Sequence, residues 1–225
     1  MTKIELGYWA IRGLGAPLRM MLEYAGAEYI DQRYASGEEW FSENKARVLG
    51  LSPLANLPYI IDGEAAIAQS TSCMVYVGEK FSLYGGIRDL ELLTEIYDLR
   101  NALIDLVYPF KKVCRDQGEY EKAAEAQIQK VAPRFYAKLE QVLDKAGTLY
   151  TIKETPCCAD FHIWEMLDQH EALAAKHEHP SPLTKFPKLA KMYVAFKQEP
   201  KLANYFASDA YKLPINNPMA NTYFH

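Results

Sequence analysis

Residues 3–26, KIELGYWAIRGLGAPLRMMLEYAG, decide the fold of this chain because a strand pattern there leads directly into a helix pattern. The alternating run Ile4–Trp9 predicts a strand, the stretch Arg12–Gly15 predicts a turn, and a helical pattern begins at Pro17. In open α/β domains, ligands bind where strand ends lead into helices. Tyr8, at the end of the predicted strand, is therefore a candidate functional residue.

Composition and charge exclude several classes of protein. The chain has 225 residues, of which 49% are hydrophobic and 24% are charged, and its net charge is −4. This balance is typical of a globular protein, and it disfavours a disordered or nucleic-acid-binding one. No stretch approaches the ~18 consecutive apolar residues that a membrane-spanning helix needs. Because the strand pattern begins by Lys3, no targeting peptide is expected, and the prediction is a cytoplasmic protein without nucleic-acid or membrane partners.

The cysteines and histidines predict neither a metal site nor a redox dithiol. None of the four cysteines has a partner at C-x-x-C spacing, so we interpret them as free thiols: Cys73, Cys114, Cys157 and Cys158. The histidines accompany no cluster of carboxylates or cysteines that would complete a ligand set. We therefore expect the chain to use no metal and no cofactor.

The order of predicted elements changes sharply after the first third of the chain. Residues 1–82 have the order β-α-β-α-β-β-α, with a hairpin marked by Asp62-Gly63 between two apolar runs. Residues 83–87 form a linker with two glycines, and residues 88–225 show only helical periodicities. The predicted fold class is α/β plus all-α: a thioredoxin-like domain with a mixed four-stranded sheet, followed by an all-helical domain.

Two well-known motifs are incomplete or absent at the turn after the first strand. Gly13-Leu14-Gly15 resembles the start of a dinucleotide fingerprint, but Leu18 occupies the place of the third glycine. A thioredoxin-type dithiol would place C-x-x-C here, where the chain has Trp9-Ala10-Ile11-Arg12. Neither nucleotide binding nor dithiol chemistry is therefore predicted at this position.

Polar groups and an unusual proline are predicted to converge on the sheet edge that carries Tyr8. Pro58 opens the third strand, and a proline inside a mixed sheet is typical of a special backbone geometry, often a cis bond. Gln69 and Ser70 lie at a helix amino terminus, which favours anions. The alternative is that Tyr8 is a core aromatic with a polar handle and that Ser70 is a helix cap.

The motifs LGYWAIRGL, NLPYIIDG and QS together resemble the cytosolic glutathione S-transferases, and the first motif is most similar to their mu class. In the helical half, CCADFHIWEMLD resembles the buried capping box of the family, with Cys157 at the cap and Asp160 three residues later. The resemblance implies a homodimeric enzyme that binds glutathione as a substrate and conjugates its thiolate to hydrophobic electrophiles, a detoxification reaction.

The resemblance also implies individual roles for residues. Tyr8 corresponds to the catalytic tyrosine, whose hydroxyl donates a hydrogen bond to the glutathione sulfur. Asp105 corresponds to the acidic residue that reaches the neighbouring subunit's site. The other implied glutathione-binding residues are Trp9, Leu14, Trp40, Lys45, Asn56, Leu57, Pro58, Gln69 and Ser70. For the glycine carboxylate of glutathione, Lys45 and Arg47 remain alternatives.

The chain departs from the mu-class pattern where the electrophile would bind. Only five residues, Ala35–Glu39, separate Tyr34 from Trp40, so the longer mu-class loop and its arginine are missing. Arg115 takes the place of a pocket tyrosine, and the expected pocket, to which the helical domain contributes, contains Arg12, Arg115 and Tyr211 beside Tyr8.

Two other functions remain open at this point. The chain could be a non-catalytic ligand-binding or structural relative, or a glutathione-dependent isomerase such as a prostaglandin synthase. The intact set Tyr8, Trp9, Gln69 and Ser70 favours an enzyme over a carrier, and the shortened loop leaves the isomerase open.

Overall fold

The first strand of the computed structural model lies at the centre of a mixed sheet of four strands. The strands are β1 (Ile4–Trp9), β2 (Tyr29–Tyr34), β3 (Tyr59–Asp62) and β4 (Ala65–Ala68), in the spatial order β2-β1-β3-β4. β1 pairs parallel to β2 and antiparallel to β3, and β3 pairs antiparallel to β4. The predicted thioredoxin-like sheet is confirmed.

The structure describes residues 3–225, so Met1 and Thr2, which belong to the predicted first domain, lie outside the described residues. The contacts divide the chain into two units. The first unit is Met1–Tyr84 with Pro200–Asn217, and the second is Gly85–Glu199 with Pro218–His225. The domain boundaries predicted at residues 82 and 88 stay a prediction.

The first unit also contains several helices. They are α1 (Gly15–Tyr24), α2 (Gly37–Glu39), a π-helix (Trp40–Asn44), α3 (Lys45–Leu49), α4 (Ser70–Lys80) and, near the carboxyl end, α10 (Ala203–Ala207). α1 begins at Gly15, two residues before the helical pattern of the sequence, and all of its residues except Glu23 are buried. The turn between β3 and β4 contains Gly63 at φ +62°, a left-handed conformation that glycine adopts without steric penalty.

The second unit is helical, as predicted for the larger part of the chain. Its α-helices are α5 (Ile87–Val107), α6 (Gln117–Ala126), α7 (Ala132–Ala146), α8 (Cys158–Lys176) and α9 (Pro187–Gln198). α8 is its central helix, because every residue from Cys158 to His170 is buried. The helical periodicity from Ala159 to Ala174 predicts this helix, and its burial on all sides places it in the core of its unit.

Candidate functional site

Tyr8 lies at the end of β1, and its hydroxyl contacts the start of α1. The side chain is 5% exposed, and its Oη accepts a hydrogen bond from the Leu14 backbone N–H at 3.1 Å. The glycines on both sides of Leu14 allow this approach: an added Cβ would lie 2.8 Å from Tyr8 Oη at Gly13, and 2.6 Å from the Tyr8 ring at Gly15. Since Leu14 occupies one acceptor position of Oη, the hydroxyl hydrogen is available to a further acceptor.

A buried arginine holds the backbone between Tyr8 and α1. Arg19 is fully buried, and its guanidinium donates to the carbonyl oxygens of Ile11 at 2.8 Å and Trp9 at 3.4 Å. Its Nε also donates to Asp31 on β2, at 3.0 Å to each carboxylate oxygen. This buried charge is therefore paired and hydrogen-bonded, which is the condition under which a buried ion is tolerated. Sequence reasoning missed Arg19 because a single arginine in a helix predicts a solvated side chain.

Two of the predicted electrophile contacts, Arg12 and Tyr211, lie together in the first unit. The Arg12 guanidinium carbon is 4.8 Å from the centre of the Tyr211 ring, a cation–π distance. Arg12 is only 5% exposed, so most of its side chain is covered.

The cis peptide bond predicted at Pro58 is present, between Leu57 and Pro58. In the sheet, Gly7 is paired with Tyr59, so Tyr8 and Pro58 follow at the same edge, one step beyond that pair. Asn56 Oδ1 accepts from the Leu57 backbone N–H at 2.9 Å. The structure thus brings the Tyr8 strand end and the Leu57–Pro58 segment to one edge, as the sequence predicts.

The predicted anion-binding helix end belongs to α4. The helix begins at Ser70, and the residue at its cap is Gln69, with φ +72°. A non-glycine residue in the left-handed region is uncommon, and such residues cluster at ligand-binding positions. Since Gln69 occupies the cap position and Ser70 is the first residue of the helix, the alternative interpretation of Ser70 as the helix cap is wrong. Gln69 is exposed and Ser70 is 8% exposed.

Trp40 is buried in this region, whereas Arg47 is exposed and paired with an acidic residue. Trp40 is 2% exposed and packs against Tyr34 and Tyr59, with its ring centre 5.9 Å from that of Tyr59. Arg47 binds the Glu5 carboxylate and donates to Tyr59 Oη at 2.9 Å. The Glu5 partner raises the pKa of Arg47 further, so this cation is committed to Glu5.

Lys45 lies in a different setting from Arg47. Its Nζ is 5.2 Å from the centre of the Phe41 ring, and Phe41 is 6.3 Å from the Trp9 ring, centre to centre. No ion pair found among residues 3–225 involves Lys45, so of the two alternatives it is the cation better able to take a new carboxylate. Phe41, which is 61% exposed, was missed because nothing in the spacing of the sequence distinguishes it.

In the second unit, Asp105 and Arg115 each have a charged neighbour. Asp105 lies 3.2 Å from Lys111 Nζ and is about half exposed. Arg115 forms a two-pronged ion pair with Glu119, which lowers the pKa of that carboxyl to about 2. The roles predicted for both residues stay predictions.

Cys157 and Asp160 form the predicted capping box at the start of α8. The Asp160 carboxylate accepts from the backbone N–H groups of Cys157 at 2.8 Å and Thr151 at 3.0 Å. A second carboxylate, which sequence reasoning missed, completes this helix end: Asp89 of α5 accepts from Cys158 at 3.1 Å and Ala159 at 2.8 Å. Full burial raises the pKa of Asp160 to about 6, against the lowering effect of its backbone donors.

Within residues 3–225, no group of three or more histidine, cysteine or acidic residues is arranged to hold a metal ion. Across the same residues, none of the helices combines the length and the apolar character required to cross a bilayer.

A thioredoxin-like sheet with a tyrosine at the end of β1, a cis-proline beside it and a following helical unit is the architecture of a glutathione transferase. Models of the glutathione S-transferase N-terminal and C-terminal domains match residues 4–79 and 104–209. The chain is 31% identical to Glutathione S-transferase Mu 1 of Oryctolagus cuniculus, with 94% of each protein covered. It is also 31% identical to Glutathione S-transferase class-mu 26 kDa isozyme 51 of Fasciola hepatica, over 96% of this chain and 94% of that protein.

Among solved structures, the glutathione S-transferase Blo t 8 has the same fold, with a TM-score of 0.82 at 24% identity over 95% of this chain and 97% of that one. The chain belongs to the glutathione S-transferase family, and conjugation of glutathione is the activity of that family. The resemblance inferred from the sequence is confirmed, and the relatives with these identities are of the mu class.

Proposed function

We propose that this protein conjugates glutathione to hydrophobic electrophiles and that the Tyr8 hydroxyl stabilises the glutathione thiolate. The single observation that supports this most is the hydrogen bond from the Leu14 N–H to Tyr8 Oη at 3.1 Å. Since that bond uses Oη as an acceptor, the hydroxyl donates to whatever lies on its other side. A free thiol with a pKa near ~8.5 is mostly protonated at neutral pH, so a donor to its anion increases the reactive fraction.

The two ends of glutathione are proposed to bind on either side of Tyr8. Gln69 and Ser70 would hold the γ-glutamyl carboxylate at the amino end of α4, where the helix dipole favours an anion. Lys45 would bind the glycine carboxylate, because Arg47 is already paired with Glu5. The backbone of Leu57 would pair with the cysteine part of the ligand, as in the addition of a strand to a sheet. Trp9, Leu14, Trp40, Asn56 and Pro58 complete the proposed set.

The partners of the protein are part of the same proposal. We propose a cytoplasmic homodimer, in which Asp105 of one subunit contributes to the other subunit's glutathione site. Arg12 and Tyr211 are the proposed first-unit contacts for the electrophile, and their cation–π pair supports a common role. Light scattering at micromolar concentration measures the assembly, and a monomer that binds glutathione normally would contradict the role of Asp105.

Replacement of Tyr8 tests the central step. Tyr8→Phe removes the donor and keeps the ring, so glutathione affinity should stay nearly unchanged while kcat/KM with an aryl halide falls about tenfold or more at neutral pH. Much of this loss should return at alkaline pH, where the thiol ionises unaided. A Tyr8→Phe protein with full neutral-pH activity would assign the thiolate to another donor. A protein that is retained on a glutathione column but is inactive with aryl halides, epoxides and enones would be a carrier.

A further inference from the structure

Three consecutive backbone N–H groups after β1 bind acceptors outside their own turn. The first two donate to carbonyl oxygens of a distant stretch of the first unit, and the third donates to the proposed catalytic hydroxyl. The bonds are Arg12 N–H to Pro214 at 2.8 Å, Gly13 N–H to Ile215 at 3.1 Å, and Leu14 N–H to Tyr8 Oη at 3.1 Å. The position of the Leu14 N–H is therefore linked to residues far along the chain.

The turn needs these external bonds because its own backbone is permissive. Gly13 has φ +38°, a conformation that L residues rarely adopt, and a glycine there leaves the backbone many alternatives. A side chain cannot replace the glycine, since a Cβ would lie 2.8 Å from Tyr8 Oη. Because the backbone lies so close to the Tyr8 hydroxyl, the turn cannot be made rigid by replacing Gly13 with another residue. Its rigidity has to come from contacts with other segments of the chain.

The stretch that supplies the carbonyls is itself anchored. Ile215 is 8% exposed, so its side chain is buried. Tyr211 packs against the Arg12 guanidinium at 4.8 Å, which adds a side-chain contact to the two backbone bonds. We call residues 211–216 the strap. Pro214, inside the strap, restricts its backbone further because the proline ring fixes φ.

We propose that the strap is a positioning element for catalysis and that Ile215 is its positioning residue. By holding the N–H groups of Arg12 and Gly13, the strap keeps the next N–H, that of Leu14, on the acceptor side of Tyr8 Oη. The Tyr8 hydrogen is then directed to the thiolate. Ile215 acts through the turn and takes no direct part in the reaction. This inference rests on the proposed function of Tyr8.

Ile215→Ala tests the strap, because it removes the buried anchor and leaves Tyr8, Leu14 and the carbonyl groups in place. The pKa of enzyme-bound glutathione, followed by ultraviolet difference spectroscopy of the thiolate, should rise by about half a unit or more. At neutral pH kcat/KM should fall about threefold or more and recover at alkaline pH, with the Kd for glutathione within about twofold of the parent. Val77→Ala is the matched control, because it creates a cavity at a fully buried position of α4 in the same unit. It should lower the melting temperature without moving the thiol pKa.

The outcomes separate the strap from the function on which it rests. Suppose that Tyr8→Phe raises the pKa of bound glutathione, whereas Ile215→Ala lowers the melting temperature and leaves that pKa unchanged. The strap is then only structural, and the proposal is wrong. If Tyr8→Phe also leaves the thiol pKa in place, the donor role of Tyr8 fails, and the strap proposal fails with it. Should Ile215→Ala not fold, the same measurement on Ile215→Val decides: a raised pKa supports the strap, and an unchanged one overturns it.

Discussion

The amino ends of α1 and α8 are completed in opposite ways. α1 has no side-chain cap and no acidic residue in its first turn, and the group that meets the N–H before it is the hydroxyl of Tyr8. α8 begins among two fully buried carboxylates, those of Asp89 and Asp160. Together they accept five backbone N–H groups: those of Gly85, Thr151, Cys157, Cys158 and Ala159.

This difference shows which helix end stabilises the fold and which can serve a ligand. An ionised carboxylate balances the positive end of a helix and satisfies its free N–H groups. At α8 both requirements are met within the protein. A hydroxyl balances no charge, so the end of α1 still favours an anion supplied from outside, which agrees with a thiolate at Tyr8.

The largest effect is expected at the α8 end, from Asp89→Ala. This change leaves three backbone N–H groups without their acceptor: the buried ones of Cys158 and Ala159 and the partly buried one of Gly85. We expect the free energy of unfolding to fall by about 3 kcal/mol or more. Urea denaturation measures it, with Asp98→Ala on the same helix as the control. A loss no greater than that of the control would contradict the structural role of Asp89.

The second largest effect is expected from Asp160→Ala, which should lower the free energy of unfolding by about 2 kcal/mol or more. The Asp160 carboxylate accepts two backbone N–H groups, and the thiol of Cys157 is a poor cap that cannot replace it. Folded Asp160→Ala protein should retain the parental pKa of bound glutathione, because this helix end serves stability alone. Thermal melting and thiolate spectroscopy test the two parts. A harmless Asp160→Ala would remove the capping-box assignment.

At the α1 end, the matched change is Gly15→Ala. The new Cβ would lie 2.6 Å from the Tyr8 ring and 3.0 Å from the Arg19 guanidinium, so Tyr8 has to move. We expect kcat/KM at neutral pH to fall about tenfold, which corresponds to ~1.4 kcal/mol in the transition state. Gly37→Ala is the control, since Gly37 also opens a helix and its nearest Cβ contact is an ordinary 3.7 Å. Equal activity of the two variants would argue against close packing on Tyr8.

The pH dependence of stability should also distinguish the α8 end. The folded pKa of Asp160 is raised to about 6, above its ordinary value of 3.8, so the unfolded chain releases this proton first. The stability that Asp160 contributes is therefore complete below pH ~4 and is lost as the pH rises through ~6. We therefore compare the free energy of unfolding of the parent with that of Asp160→Asn. The parent value minus the variant value should fall between pH ~4 and ~6, by at most ~1.4 kcal/mol per pH unit for one proton.

Buried histidines do not obscure this difference. His162 and His170 have pKa values lowered to about 3 and 4 by burial, so they reduce stability as the pH falls below ~6.5. That effect has the opposite sign and is common to both proteins, so it cancels when they are compared. A parent-minus-variant difference that rises with pH between 4 and 6 would contradict the raised pKa of Asp160.

The smallest effect is expected from Cys157→Ser. Burial raises the pKa of Cys157 to about 12, so the group is a neutral thiol at neutral pH. A serine hydroxyl of similar size accepts an N–H bond better, and the melting temperature should be unchanged or higher by a few degrees. Cys157→Ala, which cannot cap, is the control and should melt below Cys157→Ser. The reverse order would mean that the thiol has a packing role that outweighs capping.

Local pattern was sufficient for much of the fold and for part of the site. Alternation predicted β1, Asp62-Gly63 predicted the β3–β4 hairpin, and the proline of NLPYII predicted the cis bond. These features depend on neighbouring residues, because strand alternation, turn geometry and proline isomerism are properties of short segments. The family motifs selected Tyr8, Gln69 and Ser70 for the same reason, since each lies in a short motif with a recognisable setting.

What the sequence by itself determined, then, is the order of elements, the thioredoxin-like sheet with its helical successor, and the family. Only the tertiary structure decided that Arg19 binds the carbonyls behind Tyr8, that Asp89 completes α8, and that Arg47 is paired with Glu5. The tertiary structure also joined the Pro214–Ile215 carbonyls to the turn after β1. These partners are distant in sequence, and a charged or backbone group gives no local sign of the acceptor that it will meet. Their pairing follows from burial, which leaves each polar group only the partners that the completed fold brings within hydrogen-bonding distance.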